Sequence, residues 1–175
     1  MRVISGTAKG RRLKTLPGEL VRPTASHVKE AIFNIIHFDI EGRHVLDLFA
    51  GSGQLGIEAL SRGATSVTFV DMSAKVAENV RQNLTLCGFE GKVVIGESMS
   101  FLNGTAELFD IIFIDPPYGS PLLEKSLQKA FDICREGGII VCESDHPIEG
   151  RQGRTYNYGR VYITIYENRD LSGQL

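Results

Sequence analysis

Two short runs in this 175-residue chain combine residue types at spacings that could do chemistry. The first is Asp47-Leu48-Phe49-Ala50-Gly51-Ser52-Gly53-Gln54-Leu55-Gly56, which contains GxGxxG. Glycines let the backbone approach a ligand closely where a strand turns into a helix. Asp71 follows Gly51 by twenty residues, at the end of the next apolar run, where a carboxylate can accept hydrogen bonds from ribose hydroxyls. Nicotinamide sites share this pattern. Asp47 argues for another ligand, because a carboxylate just before the loop repels a pyrophosphate and attracts a cationic amino group. The second run is Asp115-Pro116-Pro117-Tyr118. Its two prolines stop a strand and remove two N–H donors, leaving carbonyls that only accept. With Asp115 they make an acceptor-rich wall, and Tyr118 adds a flat face. An amino group on a nucleobase needs both: acceptors for its N–H donors and a surface for the ring to stack on.

These runs must be positioned by an alternating α/β chain. The apolar runs predict strands at 44–50, 66–71, 92–96, 109–115 and 138–143, mostly continuous as in parallel strands covered on both faces. Helices are expected near 54–62, 73–87, 98–103 and 121–135, with Gly63, Gly88 and Gly137 as left-handed stops, and with Ser120 as cap and Pro121 at the first helical position of the last one. The tail 154–168 alternates as two antiparallel strands turning near 157–159. Ahead of this core, 2–5 and 12–16 read as a short hairpin, and Thr24 or Ser26 caps a helix to about His37 whose apolar face is Val28, Ala31, Ile32, Ile35 and Ile36. Such an order implies an open sheet with right-handed crossovers, in which the first and fourth strands are neighbours where the strand order reverses. Ligands bind outside the carboxyl ends of strands at that point, so the glycine loop and the Asp115–Tyr118 turn should face each other.

Composition narrows the class. Hydrophobic residues make up 42% and charged residues 23%, an ordinary globular balance for one domain spanning 1–175. Three cysteines without a CxxC pair indicate no disulfide framework. Cys134, Cys142 and His146 fall on different elements and read as packing residues and a loop histidine, so no metal is expected. No apolar run approaches a membrane span, nor does the basic start resemble a secretory signal, so the expectation is a cytoplasmic monomer. Net charge is −2, but residues 1–29 carry +6, leaving −8 for the remainder. Lys9, Arg11, Arg12, Lys14 and Arg22 are candidate phosphate contacts; a solvated surface hairpin is the alternative.

With these motifs on the page, the chain resembles the RsmD-type small-subunit (16S) ribosomal RNA guanine-N2 methyltransferases. The resemblance rests on RPT, KEAIFN, DLFAGSGQLGIEALSRGA, VDMS, GESMSFL and DPPY, in one order over residues 2–168. It implies a Rossmann-like class I methyltransferase fold: a mostly parallel seven-stranded sheet with an antiparallel C-terminal hairpin, preceded by a basic hairpin (1–20) and the RPT helix (21–38), with the core at 43–168. It further implies S-adenosylmethionine as cofactor and 16S rRNA or the small ribosomal subunit as partner. Carried over by position, Asp47, Gly51 and Gly53 line the methionine end of the cofactor, and Asp71 holds the ribose where the family more often has Glu. Glu97, in an Asp/Asn position, holds the adenine amine beside Ser98. Asp115, Pro116 and Tyr118 hold the guanine. His27 stands where Arg is usual and Gln54 where Ala is usual. Three other readings stay open: adenine-N6 methylation, which uses a similar turn; an NAD-dependent oxidoreductase; and a non-catalytic ribosome-assembly factor. Asp115 leans toward guanine, whose Watson–Crick edge presents adjacent donors to an acceptor-only carboxylate.

Overall fold

The computed structural model describes residues 1–16 and 26–169. Seven strands form one sheet in the order β3-β2-β1-β4-β5-β7-β6. They are β1 (His44–Asp47), β2 (Ser66–Asp71), β3 (Lys92–Ile95), β4 (Phe109–Ile114), β5 (Cys134–Ser144), β6 (Arg154–Tyr158) and β7 (Val161–Glu167). The first five pair in parallel, while β7 runs antiparallel to both β5 and β6. The helices are α1 (Ser26–Ile35), α2 (Gln54–Ser61), α3 (Ala74–Cys87), α4 (Ser98–Gly104) and α5 (Leu122–Ile133).

Period-two alternation divides the apolar side chains of the sheet between two cores. Val45, Ile111, Phe113, Ile139 and Val141 join α1, α2 and α3 on one face. Leu46, Ile112, Ile114, Ile140 and Cys142 join α4 and α5 on the other. Gly56, on α2, is required by this packing rather than by a turn. A Cβ there would lie 2.3 Å from the Phe69 ring on β2, so helix and strand meet only because the side chain is missing.

Some local expectations are corrected. Residues 2–5 and 12–16 pair as an irregular hairpin rather than two regular strands: Val3 N donates to Arg11 O, Gly10 N to Val3 O and Leu13 N to Met1 O around a single antiparallel bridge, Arg2 to Arg12. The segment is also tied to helices by side chains. Ser61 Oγ donates to Ser5 O and accepts from Ala8 N, and Asn83 accepts from Lys14 N while donating to Lys14 O. Helix α1 ends at Ile35, two residues early, and a 3₁₀ turn follows at His37–Asp39. Pro121 is the N-cap of α5 rather than its first residue. Gly137 does not stop a helix. It lies inside β5 at φ 72°, where the register with β4 shifts between Phe109 and Ile111. The final hairpin turns at Gly159–Arg160, since Tyr158 pairs with Val161.

Lys29 was counted above with the basic head, but it is buried. Its Nζ lies 3.2 Å from Glu58 Oε2 on α2 and donates to Arg2 O at 2.8 Å. Burial pulls the Lys29 ammonium below its ordinary pKa, and Glu58 opposes that pull. Glu58 is fully buried and also accepts from Ile4 N, Ser5 N and Arg62 Nε. One carboxylate therefore joins α1, α2 and the N-terminal segment. Removing it strands a buried ammonium and two N–H groups, which costs about 3–5 kcal/mol. Urea denaturation of Glu58→Ala should show a loss of that size; a loss of under about 1 kcal/mol would mean that this network is not what holds the segment.

Candidate active site

After Asp47, the chain turns through Gly51 (φ 52°) and Gly53 (φ 77°) into α2, with Gly53 as the N-cap. Both conformations suit glycine. Asp47 is 2% exposed, and its Oδ2 accepts from Gly56 N at 3.0 Å. Burial pushes its carboxyl up to about 7; the Gly56 N–H opposes the shift and the negative charge of Asp71 adds to it. Asp71 ends β2 and pins the loop. Its Oδ2 accepts from Gly51 N at 3.1 Å and its Oδ1 from Ser73 N at 2.9 Å. Each oxygen has a second lone pair, so a ribose contact and loop support are compatible at this residue.

Strands β1 and β4 pair through Val45–Ile111, Leu46–Ile112 and Asp47–Phe113. The glycine loop and the Asp115–Tyr118 turn leave these two strands at the same edge and line one cavity of about 650 Å³. Its walls come from 47–52, 54–55, 71–73, 96–99 and 115–118, with Val76, Leu122 and Glu143. The cavity thus gathers Asp47, Gly51, Asp71, Glu97, Ser98, Asp115, Pro116 and Tyr118; Gly53 does not line it and acts as the helix cap. Glu97 is exposed at the start of α4, whereas Ser98 is buried.

Two lining residues escape a reading of the sequence. Met72, after Asp71, is 75% exposed at the cavity rim, an apolar surface suited to covering a planar ring. Its signal is an apolar residue just past a strand-ending acid. Glu143, at the carboxyl end of β5, is 7% exposed and accepts from Tyr118 Oη at 3.0 Å. It was hidden in an apolar run.

The basic residues lie elsewhere. Lys9, Arg11, Arg12 and Lys14 are exposed and outside the cavity lining, and Arg22 lies outside the described residues. Their segment runs along α2 and α3. Near Lys14, Asn83 Nδ2 also donates to Ser52 O in the glycine loop, and Lys14 Nζ donates to Gln82. Near Lys9, Thr7 N donates to Ser61 O at the far end of α2. Lys14 is therefore linked through Asn83 to the glycine loop, whereas the Thr7–Ala8 backbone is held at the other end of α2.

The charge of the cavity tests which cofactor fits. Among the described residues, five carboxylates line it (Asp47, Asp71, Glu97, Asp115 and Glu143) and no lysine, arginine or histidine does. That wall repels a pyrophosphate, which disfavours a nicotinamide dinucleotide, and suits a ligand carrying a sulfonium and an ammonium. Asp47 gives this fit a pH signature. A bound ammonium favours the ionised carboxylate, so below about pH 7 binding must first remove a proton from Asp47. Calorimetry should show S-adenosylhomocysteine affinity falling as pH drops below 7, by up to about tenfold per unit, and Asp47→Asn should be weaker and flat over that range. A parent affinity unchanged from pH 8 to pH 6 would remove Asp47 from the amino-group site.

Comparison with known proteins agrees with this geometry. The model of the family described as conserved hypothetical protein 95 matches residues 1–167. A Bacillus subtilis protein, YlbH, described as a candidate rRNA methyltransferase, is 39% identical over 97% of this chain and all of its own length. The ribosomal RNA small subunit methyltransferase D of Haemophilus influenzae is 42% identical over 73% of this chain and 68% of its own. Among solved structures, the Escherichia coli protein yhhF, described as a candidate methyltransferase, superposes with a TM-score of 0.86 at 34% identity, covering 97% of this chain and 98% of its own. The fold is the seven-stranded one of S-adenosylmethionine-dependent methyltransferases, and the chain belongs to the conserved hypothetical protein 95 family, that of the RsmD methyltransferases.

Proposed function

We propose that this protein methylates the exocyclic N2 amine of a guanine in small-subunit (16S) ribosomal RNA. One observation carries the reading: the acceptor-rich Asp115–Tyr118 turn and the Asp47–Gly51 loop line the same cavity from adjacent strands. The names of the Haemophilus and Bacillus relatives support ribosomal RNA as the substrate class. S-adenosylmethionine would supply an activated methyl group: as the C–S bond breaks and the N–C bond forms, a neutral thioether leaves and the amine sheds one proton, which passes to solvent.

What remains for the protein is positioning and exclusion of water. Asp47 pairs with the ammonium of the cofactor, Asp71 with its ribose, and Glu97 with its adenine amine beside Ser98, while Met72 covers the adenine face. Asp115 and the Pro116 carbonyl accept N–H donors from guanine. Accepting from the N2 amine pulls its hydrogens out of the ring plane and exposes the nitrogen lone pair. Tyr118 stacks on the base, which must leave its own stack to enter. Lys14 neutralises phosphates near the cavity mouth, and Lys9, Arg11 and Arg12 meet RNA farther out, with Arg22 as a further candidate.

Asp115 separates guanine from adenine. Adenine presents an acceptor beside its amine, which a carboxylate repels and an asparagine would match. In single-turnover assays on small-subunit particles with saturating cofactor, Asp115→Asn should lose most of the methylation rate and keep cofactor affinity. A parent-like rate on guanine would remove Asp115 from the acceptor role and return the adenine and non-catalytic readings. For the basic segment, Lys14→Gln should weaken RNA binding and reduce the slope of log affinity against log salt by about 1, leaving cofactor binding alone. An unchanged slope would leave Lys14 as an ordinary solvated surface group.

A further inference from the structure

The Asp115–Tyr118 turn holds its backbone through two prolines, which restrict the main chain and not the side-chain torsions of Tyr118. The ring turns on two side-chain bonds, and the next residue is Gly119 at φ 71°, in a turn. A half-exposed tyrosine in such a place would sample several orientations. The far end of the ring is tied down instead. Tyr118 Oη donates to Glu143 Oε1 at 3.0 Å, and Glu143 is 7% exposed.

Glu143 is a firm anchor for reasons of topology. It lies on β5, which is paired on both sides: with β4 in parallel up to Ile114–Cys142, and with β7 antiparallel through Glu143–Ile163 itself. The strand beneath the carboxylate is held against both neighbours. The hydrogen bond it accepts therefore ties the phenol end of Tyr118 to a fixed point of the sheet.

We propose that Glu143 is a positioning residue, acting through Tyr118: it fixes the phenol end of the ring so that the stacking face stands ready before the base arrives. The inference rests on the proposed role of Tyr118 as the base-stacking wall. With the ring held at both ends, the base that enters does not bear the cost of ordering it. RNA affinity comes chiefly from phosphate contacts outside the cavity. Loosening the ring therefore leaves RNA binding nearly intact and lowers the fraction of bound complexes in which the base is correctly seated. The deficit belongs in kcat and not in KM.

The experiment is a double-mutant cycle on the full chain, with methyl transfer from labelled cofactor to small-subunit particles, read as kcat and KM and accompanied by nucleoside analysis of the product. Tyr118→Phe keeps the ring and removes the anchor; Glu143→Ala removes the acceptor; Glu143→Gln keeps an acceptor oxygen. Each of the first two should lower kcat by up to about tenfold, the scale of one buried hydrogen bond, with KM and cofactor affinity within about twofold of the parent. The double variant should be no slower than the worse single one, because both remove the same bond. Glu143→Gln should recover most of the rate that Glu143→Ala loses. The proposal is overturned if Tyr118→Phe retains parental kcat, a result that stands even if Glu143→Ala folds poorly. It is equally overturned if the two losses multiply to about a hundredfold. If the parent product is not N2-methylguanosine, the proposed substrate falls, while the cycle still reports whether Glu143 works through Tyr118.

Discussion

The parallel pairing of β1 with β4 is the contact on which the site depends. Chain order alone would keep these strands apart, since two strands and three helices intervene between them. Right-handed crossovers send β2 and β3 to one side of β1 and β4 and β5 to the other, so the sheet has a reversal where two loops diverge and leave a cleft. The register Asp47–Phe113 then sets the depth of each wall. The strand that ends in a buried carboxylate lies beside the one that runs into Asp115. A slip of one residue would send Asp47 to the opposite face of the sheet, among the apolar contacts of α4 and α5.

Electrostatics at this cleft are arranged against folding and toward binding. Asp47 is buried close to Asp71, and its raised pKa means that its contribution to the stability of the empty protein is fully present below about pH 4, its unfolded value, and lost as pH rises through 7. A cationic ligand relieves that cost. Elsewhere the chain spends buried charge on assembly: Glu58 gathers Lys29, Arg62 and two backbone N–H groups, fastening the N-terminal segment to the helix that the glycine loop opens. Asn83 makes the second fastening, between Lys14 and Ser52. The exposed basic side chains are thus carried on a backbone bound to the cofactor side of the molecule.

Much of this was legible in the residues. Continuous apolar runs mark β1, β2 and β4 because strands covered on both faces cannot alternate with polar residues. Ser73 and Gly88 bracket α3 through local capping, its Oγ accepting from Val76 N and the glycine taking φ 73°. What escaped the reading is tertiary. Residues 2–16 have the composition of a hairpin and bond across it, but they also bond to side chains on α2 and α3, which no local pattern encodes. Gly137 has the same left-handed φ in a strand bulge as in a helix stop, so the residue type could not separate the two. Glu143 stands in IIVCES, where the apolar neighbours that mark the strand conceal a side chain that reaches Tyr118. Lys29 counts as positive charge in any tally, and only packing reveals that it is spent inside.

The reaction proposed for this cleft is methylation of one guanine amine of small-subunit RNA. The measurement that meets it most directly is nucleoside mass spectrometry with site mapping on small-subunit ribosomal RNA. It would compare cells lacking the protein with the same cells supplied with it. One N2-methylguanosine should disappear from the RNA in its absence and return with the intact chain. A methyl group missing from an adenine instead, or a methylation map identical in both cells, would contradict it.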